Sequence, residues 1–161
     1  MKILLTGKDG QLGSALSNEL KLHYDVSCFG RTFCDITNIK MVENVVKSVN
    51  PDIIVNAAAY TAVDDAEDNT EECFSINASG PDNLARVANQ FEAALIHYST
   101  DYIFDGKKGS PYSERDIPSP LNSYGHSKLE GERRICEQNN KLFWTFVFVI
   151  HFRMFSASCP S

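Results

Sequence analysis

Apolar residues change their spacing along the chain in a way that predicts strands followed by helices. Lys2 to Thr6 is a short apolar run of strand length, and leucines then recur at helical spacing from Leu12 to Leu20. Tyr24 to Phe29 predicts a second strand, and the apolar positions from Ile39 to Val49 predict an amphipathic helix that Pro51 ends. The first third of the chain therefore predicts two strand–helix units.

The same alternation continues to the end of the chain. Ile53 to Val55 is a β-branched run typical of a buried strand, and Asn77 to Phe91 has apolar residues at helical spacing. Ala93 to Ser99 predicts a fourth strand, Ser123 to Gln138 a polar helix, and the apolar run from Leu142 to Phe152 a fifth strand. Alternation of this kind predicts an α/β fold with a doubly wound parallel sheet and helices on both faces.

Composition and charge narrow the class of protein. The 161 residues fit one domain, and we expect residues 1–161 to form it. A net charge of -6 argues against a nucleic-acid partner, since phosphate backbones are bound by clustered Lys and Arg. The longest apolar run has about eleven residues, well under the ~20 of a membrane helix. We therefore expect no nucleic-acid or membrane partner.

Two further features bear on location and metal binding. The apolar run after Met1 is shorter than the roughly 7–15 residues of a secretion signal, so we expect a cytoplasmic protein. The five cysteines and four histidines do not fall at the spacings of a metal site. The sequence predicts no metal.

Three glycines separate the first predicted strand from the first predicted helix. Gly7, Gly10 and Gly13 have the G-x-x-G-x-x-G spacing, and this position between strand and helix is where such a motif binds a dinucleotide. Glycines there allow a tight turn and let the backbone approach a pyrophosphate at the helix N-terminus. The alternative is that the glycines only form a turn.

The end of the second predicted strand bears on the choice between NADPH and NADH. NAD enzymes usually place an Asp or Glu there, whereas this chain has Arg31, which could pair with a 2′-phosphate. Lys8 could add a second cation, so the pattern favours NADPH. Alternatively, Arg31 and Lys8 are solvated surface cations and Asp35 faces the adenosine, which keeps NADH open.

Small residues follow the third predicted strand. Ala57, Ala58 and Ala59 would lie at the carboxyl edge of the sheet, where open α/β sheets bind ligands, and would let a cofactor lie against the backbone. Alanines also suit close packing of a helix on a sheet. Both interpretations stay open from the residues alone.

Tyr124 and Lys128 form a candidate catalytic pair. They are four residues apart, so they lie on one face of the predicted helix and can reach one ligand. A nearby ammonium favours the phenolate, which makes the pair suitable for proton transfer. Thr100 ends the fourth predicted strand, where its hydroxyl could bind a substrate oxygen. The alternative is chance, because this spacing is common on helices.

Four segments together resemble the dTDP-4-dehydrorhamnose reductases, a group of the extended short-chain dehydrogenases. They are Leu5 to Gly13, Pro51 to Asp64, Ser99 to Gly106 and Ser119 to Lys128. The resemblance covers about residues 1 to 135. It implies a Rossmann-like domain and NADPH-dependent reduction of the C4 ketone of dTDP-4-dehydro-L-rhamnose to dTDP-L-rhamnose.

The resemblance also implies roles for individual residues. Tyr124 would donate the proton, Lys128 would hold the nicotinamide ribose and lower the pKa of the phenol, and Thr100 would bind the carbonyl oxygen. The substrate contacts would be Thr61, Val63, Thr100, Asp101 and Tyr102. The cofactor contacts would be Gly7, Gly10, Gln11, Leu12, Gly13, Arg31, Asp35, Ile36, Ala57, Ala58, Ala59, Tyr60, Tyr124 and Lys128.

The resemblance ends near the C-terminus of the chain. The family continues into a substrate domain, whereas residues 142–161 read as an atypical tail, so we expect a chain truncated before that domain and doubt that it turns over substrate. A homodimer is left open. The competing hypothesis is a non-catalytic NADP-binding module similar to the regulatory β subunit of methionine adenosyltransferase.

Overall fold

The computed structural model describes residues 1–138 and the backbones of two later strands, 143–148 and 156–157. The strands are β1 (Lys2–Thr6), β2 (Asp25–Phe29), β3 (Ile53–Asn56), β4 (Ala94–Thr100), β5 (Phe143–Phe148) and β6 (Ser156–Ala157). The α-helices are α1 (Gln11–Leu20), α2 (Ile39–Val49), α3 (Asp65–Asp68), α4 (Thr70–Phe74), α5 (Gly80–Gln90) and α6 (Ser123–Glu137). A π-helical segment (Ser75–Ser79) precedes α5, and a 3₁₀ turn (Asp101–Ile103) follows β4.

The strands form one sheet in the order β2-β1-β3-β4-β5-β6. The first five are parallel, as the sequence predicted, and β6 pairs antiparallel with β5. β2 lies on one side of β1 and β3 lies on the other. The direction of winding therefore reverses between β1 and β3. Ligands of open α/β sheets bind at the carboxyl edge beside this point.

Each face of the sheet has its own core. Leu4, Ile54 and Leu95 are buried on the face that α2, α5 and α6 cover, together with Leu84 of α5. The neighbouring strand positions Ile3, Leu5 and Val55 point to the other face, where Leu16 and Leu20 of α1 pack on them. This alternation follows the period of two along a strand, and it confirms helices on both faces.

The helices between β3 and β4 differ from the prediction. The sequence predicted one helix from Asn77 to Phe91, but α3, α4 and the π-helical segment come first and α5 begins at Gly80. The acidic stretch of α3 and α4 buries only Ala66 and Cys73. A helix with so few buried residues has no 3.6-residue apolar period, which is why the sequence pattern did not reveal it.

Candidate active site

A cavity of about 210 Å³ opens at the carboxyl edge of the sheet, beside the reversal point between β1 and β3. Eight of the predicted cofactor residues line it, from the segments that follow β1, β2 and β3. They are Gly7, Gly10, Arg31, Asp35, Ile36, Ala57, Ala58 and Ala59. Three lining residues were not predicted: Asp9, Cys34 and Ile76.

Two glycines of the motif allow backbone segments to pack in direct contact. Gly7 has φ 73°, and a Cβ there would collide with the backbone of Ala57 and Ala58. A Cβ at Gly13 would collide with the carbonyl of Gly7. The turn after β1 is therefore pressed between β3 and α1, and Gly13 serves packing rather than lining the cavity.

Backbone packing does not require a glycine at position 10. Its φ of -80° suits any residue, and a Cβ added there would meet only the Gly7 carbonyl oxygen, at 3.5 Å. Gly10 is also the N-cap of α1 and offers no side-chain hydrogen bond to the first turn. The wall of the cavity at Gly10 thus combines open space with backbone N–H groups, which suits a pyrophosphate.

The next two predicted cofactor residues lie beyond this wall. Gln11 is exposed and Leu12 is half-buried, and neither lines the cavity. Both belong to the first turn of α1, so their backbone N–H groups face the same end of the helix as Gly10.

Arg31 lies at the rim of the cavity between two carboxylates. Its Nη1 and Nη2 donate to Glu72 Oε1 at 3.3 and 3.4 Å, and its Nε lies 3.6 Å from Asp35 Oδ2. The Arg31 side chain is 67% exposed, so these ion pairs are weak and can exchange partners. An anion bound at the rim would compete with Glu72 for the guanidinium.

Three polar contacts hold the start of α6. Asn122 caps the helix, with Oδ1 accepting from Gly125 N at 2.8 Å. Glu67 of α3 accepts from Ser123 N at 2.7 Å and from Ser123 Oγ at 2.9 Å. A Cβ at Gly125 would collide with the carbonyl of Tyr102, so α6 lies directly against the turn after β4. These contacts bring the N-terminus of α6 to the carboxyl edge of the sheet.

Tyr124 lies in the first turn of α6 and is buried. Its ring meets that of Tyr102 edge-on, with centroids 5.5 Å apart. Burial raises the pKa of the phenol, and a hydrogen bond with Thr100 offsets this only in part, while the charge of Asp101 raises it further. The lowered phenol pKa expected from the sequence is therefore not found in this arrangement.

Lys128, one turn further along α6, is also buried, at 2% exposure. Its Nζ donates to the Tyr98 carbonyl at 2.6 Å and lies 3.5 Å from His97 Nε2. Burial lowers the pKa of Lys128 to about 8, against the opposing influence of Glu132 and Cys73. The predicted pair is thus together on one face of α6, directed at β4.

The predicted substrate residues divide into two groups around the phenol. Val63 packs against the buried cluster that contains Tyr124, as does Tyr60. Asp101 and Tyr102 form the turn after β4, where Thr100 Oγ1 donates to Asp101 Oδ1 at 3.2 Å. Thr61 is exposed between β3 and α3. Their roles as substrate contacts stay predictions.

His97 and Asn56 are polar residues whose part in the site the sequence reasoning missed. Both are buried at 1% exposure, and Asn56 Nδ2 lies 3.0 Å from His97 Nδ1. A signal was present, because a histidine within an apolar strand must find a partner there. His97 was set aside because it has no partner at metal-ligand spacing in the sequence.

Comparison with known proteins gives the family. The model of the RmlD substrate binding domain family matches residues 1–148. The chain belongs to this family. It is 42% identical over 152 residues to the dTDP-4-dehydrorhamnose reductase of Aggregatibacter actinomycetemcomitans and 45% identical over 143 residues to that of Escherichia coli strain K12. The resemblance stated from the sequence is confirmed.

A solved RmlD-family structure shares the fold. The dTDP-4-dehydrorhamnose reductase of Bacillus anthracis strain Ames, in complex with NADP, superposes with a TM-score of 0.87 at 39% identity over 91% of this chain and 52% of its own. The two curated reductases are matched over 90% and 85% of this chain but 52% and 47% of their own lengths. The chain therefore spans about half the length of the curated relatives that it matches.

The described residues also bear on membranes and metals. No helix among them is long and apolar enough to cross a bilayer. Within the same part of the chain, no group of three or more His, Cys, Asp or Glu side chains could hold a metal ion.

Proposed function

We propose that this chain is the cofactor-binding part of an NADPH-dependent reductase that converts the C4 ketone of dTDP-4-dehydro-L-rhamnose to dTDP-L-rhamnose. One observation carries the proposal: Tyr124 contacts Thr100 and Lys128 contacts Tyr98 near the carboxyl end of β4, on the same edge of the sheet as the glycine-lined cavity. Membership of the RmlD family supports the substrate class.

The residues around the cavity fit a dinucleotide. Gly10 leaves open space at the N-terminus of a helix whose first turn has no side-chain cap, which suits the pyrophosphate. Ala57 and Ala58 leave room beside β3, and Arg31 lies where a 2′-phosphate would extend. The NADP bound by the Bacillus anthracis relative supports this cofactor, and NADH stays a second candidate.

The proposed reaction needs one hydride and one proton. The phenol of Tyr124 would donate the proton to the ketone oxygen, and a bound NADPH would supply the hydride to C4, so that the C=O double bond would become a secondary alcohol. Thr100 donates a hydrogen bond to the same oxygen, and Lys128 holds the nicotinamide ribose. Burial raises the pKa of Tyr124, so the phenol is protonated at neutral pH and carries the proton that the ketone oxygen would take.

The proposal also covers the setting of the reaction. Residues 1–161 would form one dinucleotide-binding domain that receives a nucleotide-sugar, and the reaction would take place in the cytoplasm. The relatives' additional length would supply the rest of the sugar-nucleotide cleft, so turnover by this chain alone is expected to be slow.

Titration of the chain with NADPH tests the cofactor assignment, with nicotinamide fluorescence as the readout. We expect saturable binding. Oxidation of NADPH with dTDP-4-dehydro-L-rhamnose then tests the activity. Tyr124→Phe should keep NADPH binding nearly unchanged and abolish the oxidation, because the ring stays and the proton donor is lost.

Tyr24→Phe is the matched control, since Tyr24 is exposed and precedes β2 at the opposite edge of the sheet. It should change neither binding nor turnover. Activity that survives Tyr124→Phe would show that the proton donor is wrong. NADPH binding without oxidation, both in this chain and in a full-length relative assayed in parallel, would contradict the reductase and favour a non-catalytic binding module.

A further inference from the structure

Four buried polar side chains form a continuous line that ends at Lys128 of the candidate pair. Thr6 of β1, Asn56 of β3, His97 of β4 and Lys128 of α6 are each exposed by 2% or less. Burial of polar groups is costly unless each is hydrogen-bonded, and apolar residues fill most of the neighbouring strand positions. A line of this kind therefore calls for a role beyond packing.

The orientation of Asn56 is determined by two donors. Thr6 Oγ1 donates to Asn56 Oδ1 at 2.7 Å, and Ala58 N donates to the same oxygen at 3.1 Å. The other end of the amide, Nδ2, must therefore be the group that faces His97 Nδ1 at 3.0 Å. Since Nδ2 is only a donor, Nδ1 of His97 must accept.

The tautomer of His97 follows from this contact. A neutral imidazole that accepts at Nδ1 carries its proton on Nε2. Burial, followed by the charge of Lys128, holds the pKa of His97 well below its usual value, so the ring stays neutral. The Nε2–H therefore points toward Lys128 Nζ, 3.5 Å away.

This orientation distinguishes the two protonation states of Lys128. An ammonium has three donors and no acceptor, so an N–H aimed at it is repelled, whereas a neutral amine has a lone pair that can accept. We propose that His97, held by Asn56 and Thr6 as the Nε2–H tautomer, is a positioning residue that points a fixed N–H dipole at Lys128 and favours the uncharged amine.

Other groups around Lys128 act in the opposite direction or not at all. Glu132 of α6 and Cys73 of α4 both raise the pKa of Lys128. Burial raises the pKa of Glu132 itself, so this carboxyl is only a partial counter-charge. The Tyr98 carbonyl accepts more strongly from an ammonium than from an amine, so it also favours the charged form. Tyr124 is held protonated by burial. His97 is therefore the group of β4 that favours the uncharged amine.

Two substitutions of His97 separate the dipole from the packing. Gln places an amide N–H₂ where Nε2–H lies, whereas Asn reaches only the Nδ1 position and leaves nothing aimed at Lys128. We expect His97→Asn to raise the titration midpoint of Lys128 by about one pH unit and His97→Gln to keep it near that of the unmodified chain.

The measurement is a ¹³Cε NMR titration of the lysines in the whole chain, with the Lys128 signal assigned from its loss in Lys128→Met. Equal midpoints in His97→Asn and the unmodified chain would overturn the proposal. The ¹⁵N shifts of His97 in the unmodified chain decide the matter even where a variant does not fold. A proton on Nδ1 rather than Nε2 would also overturn it.

The consequence for catalysis rests on the proposed reductase function, but the titration needs neither cofactor nor substrate. If the chain reduces its substrate, the alkaline limb of its pH–rate profile should move in the same direction as the titration midpoint of Lys128. A shifted midpoint in a chain that binds no NADPH would support the role of His97 and contradict the proposed function, so the two can fail separately.

Discussion

Gly10 is the residue whose replacement best separates cofactor binding from folding. Its extended backbone suits an N-cap serine, and the space that a Cβ would occupy there is open. We expect Gly10→Ser to leave the free energy of unfolding unchanged or slightly higher, because the hydroxyl caps α1. NADPH affinity should fall about tenfold or more, because the side chain occupies the pyrophosphate space and the N–H groups. Urea unfolding and fluorescence titration measure the two effects.

Gly13→Ser is the matched contrast, because a Cβ there meets the Gly7 carbonyl. It should lower stability as well as binding. NADPH affinity that survives Gly10→Ser would contradict a pyrophosphate at this helix end.

Arg31 decides the choice of nicotinamide cofactor in our interpretation. It now pairs with Glu72 and Asp35, and a 2′-phosphate would have to displace at least one of them. We expect Arg31→Ala to weaken NADPH several-fold and to leave NADH nearly unchanged, since only NADPH carries that phosphate. Glu72→Gln should strengthen NADPH relative to NADH. Equal losses for both cofactors in Arg31→Ala, from parallel titrations, would remove Arg31 from the 2′-phosphate site.

At the scale of elements, α6 depends on a carboxylate from α3. Both oxygens of Glu67 accept from Ser123 at the N-terminus of α6, where negative charge is favourable. The backbone and side-chain hydrogen bonds from Ser123 lower the pKa of Glu67 below its ordinary value of 4.5. A lowered folded-state pKa contributes stability above the ordinary value, and that contribution disappears as the pH falls through the folded-state value.

Glu67→Gln should therefore destabilise the chain at neutral pH. The difference in free energy of unfolding between this variant and the unmodified chain should shrink as the pH falls below 4.5. The exposed Glu71 of α4 provides the control substitution, Glu71→Gln, which should have little effect at any pH. Urea unfolding at several pH values measures both. A loss of stability in Glu67→Gln that does not vary with pH would mean that the shape of the Glu67 side chain, rather than its charge, holds α6.

For the whole molecule, the buried amine of Lys128 is a cost to folding. The pKa of Lys128 is about 8, against 10.5 for an ordinary lysine, so at neutral pH the folded state holds a buried charge that the unfolded chain holds in water. We expect Lys128→Met to stabilise the chain by about 1–2 kcal/mol at neutral pH, after allowance for the hydrogen bonds that Lys128 loses.

The pH dependence gives the sign of this effect. Between about 8 and 10.5 the unfolded chain binds the Lys128 proton and the folded chain does not, so stability of the unmodified chain rises with pH relative to Lys128→Met. The extra stability of Lys128→Met over the unmodified chain should accordingly diminish over that pH range. A variant less stable than the unmodified chain at neutral pH would show that the amine supports the fold.

Short-range patterns were sufficient for β1 to β4, for α1, α2 and α6, and for the glycine turn. Burial on both faces makes β1, β3 and β4 near-continuous apolar runs, and the period of 3.6 places Tyr124 and Lys128 on one face of α6. The glycines at 7 and 13 follow from backbone contacts that tolerate no Cβ. Each of these constraints acts within one segment or between neighbouring segments, so the sequence pattern alone reveals it.

Other features were decided by distant segments that meet only in the fold. The segment from α3 to the π-helical turn has no apolar period and is held by α6, and Arg31 meets Glu72 across 41 positions. The lowered pKa of Lys128 comes from burial, and the line from Thr6 to Lys128 joins three strands and a helix. The sequence by itself determined the candidate residues for the chemistry, whereas their protonation states depend on desolvation and on dipoles that only tertiary packing creates.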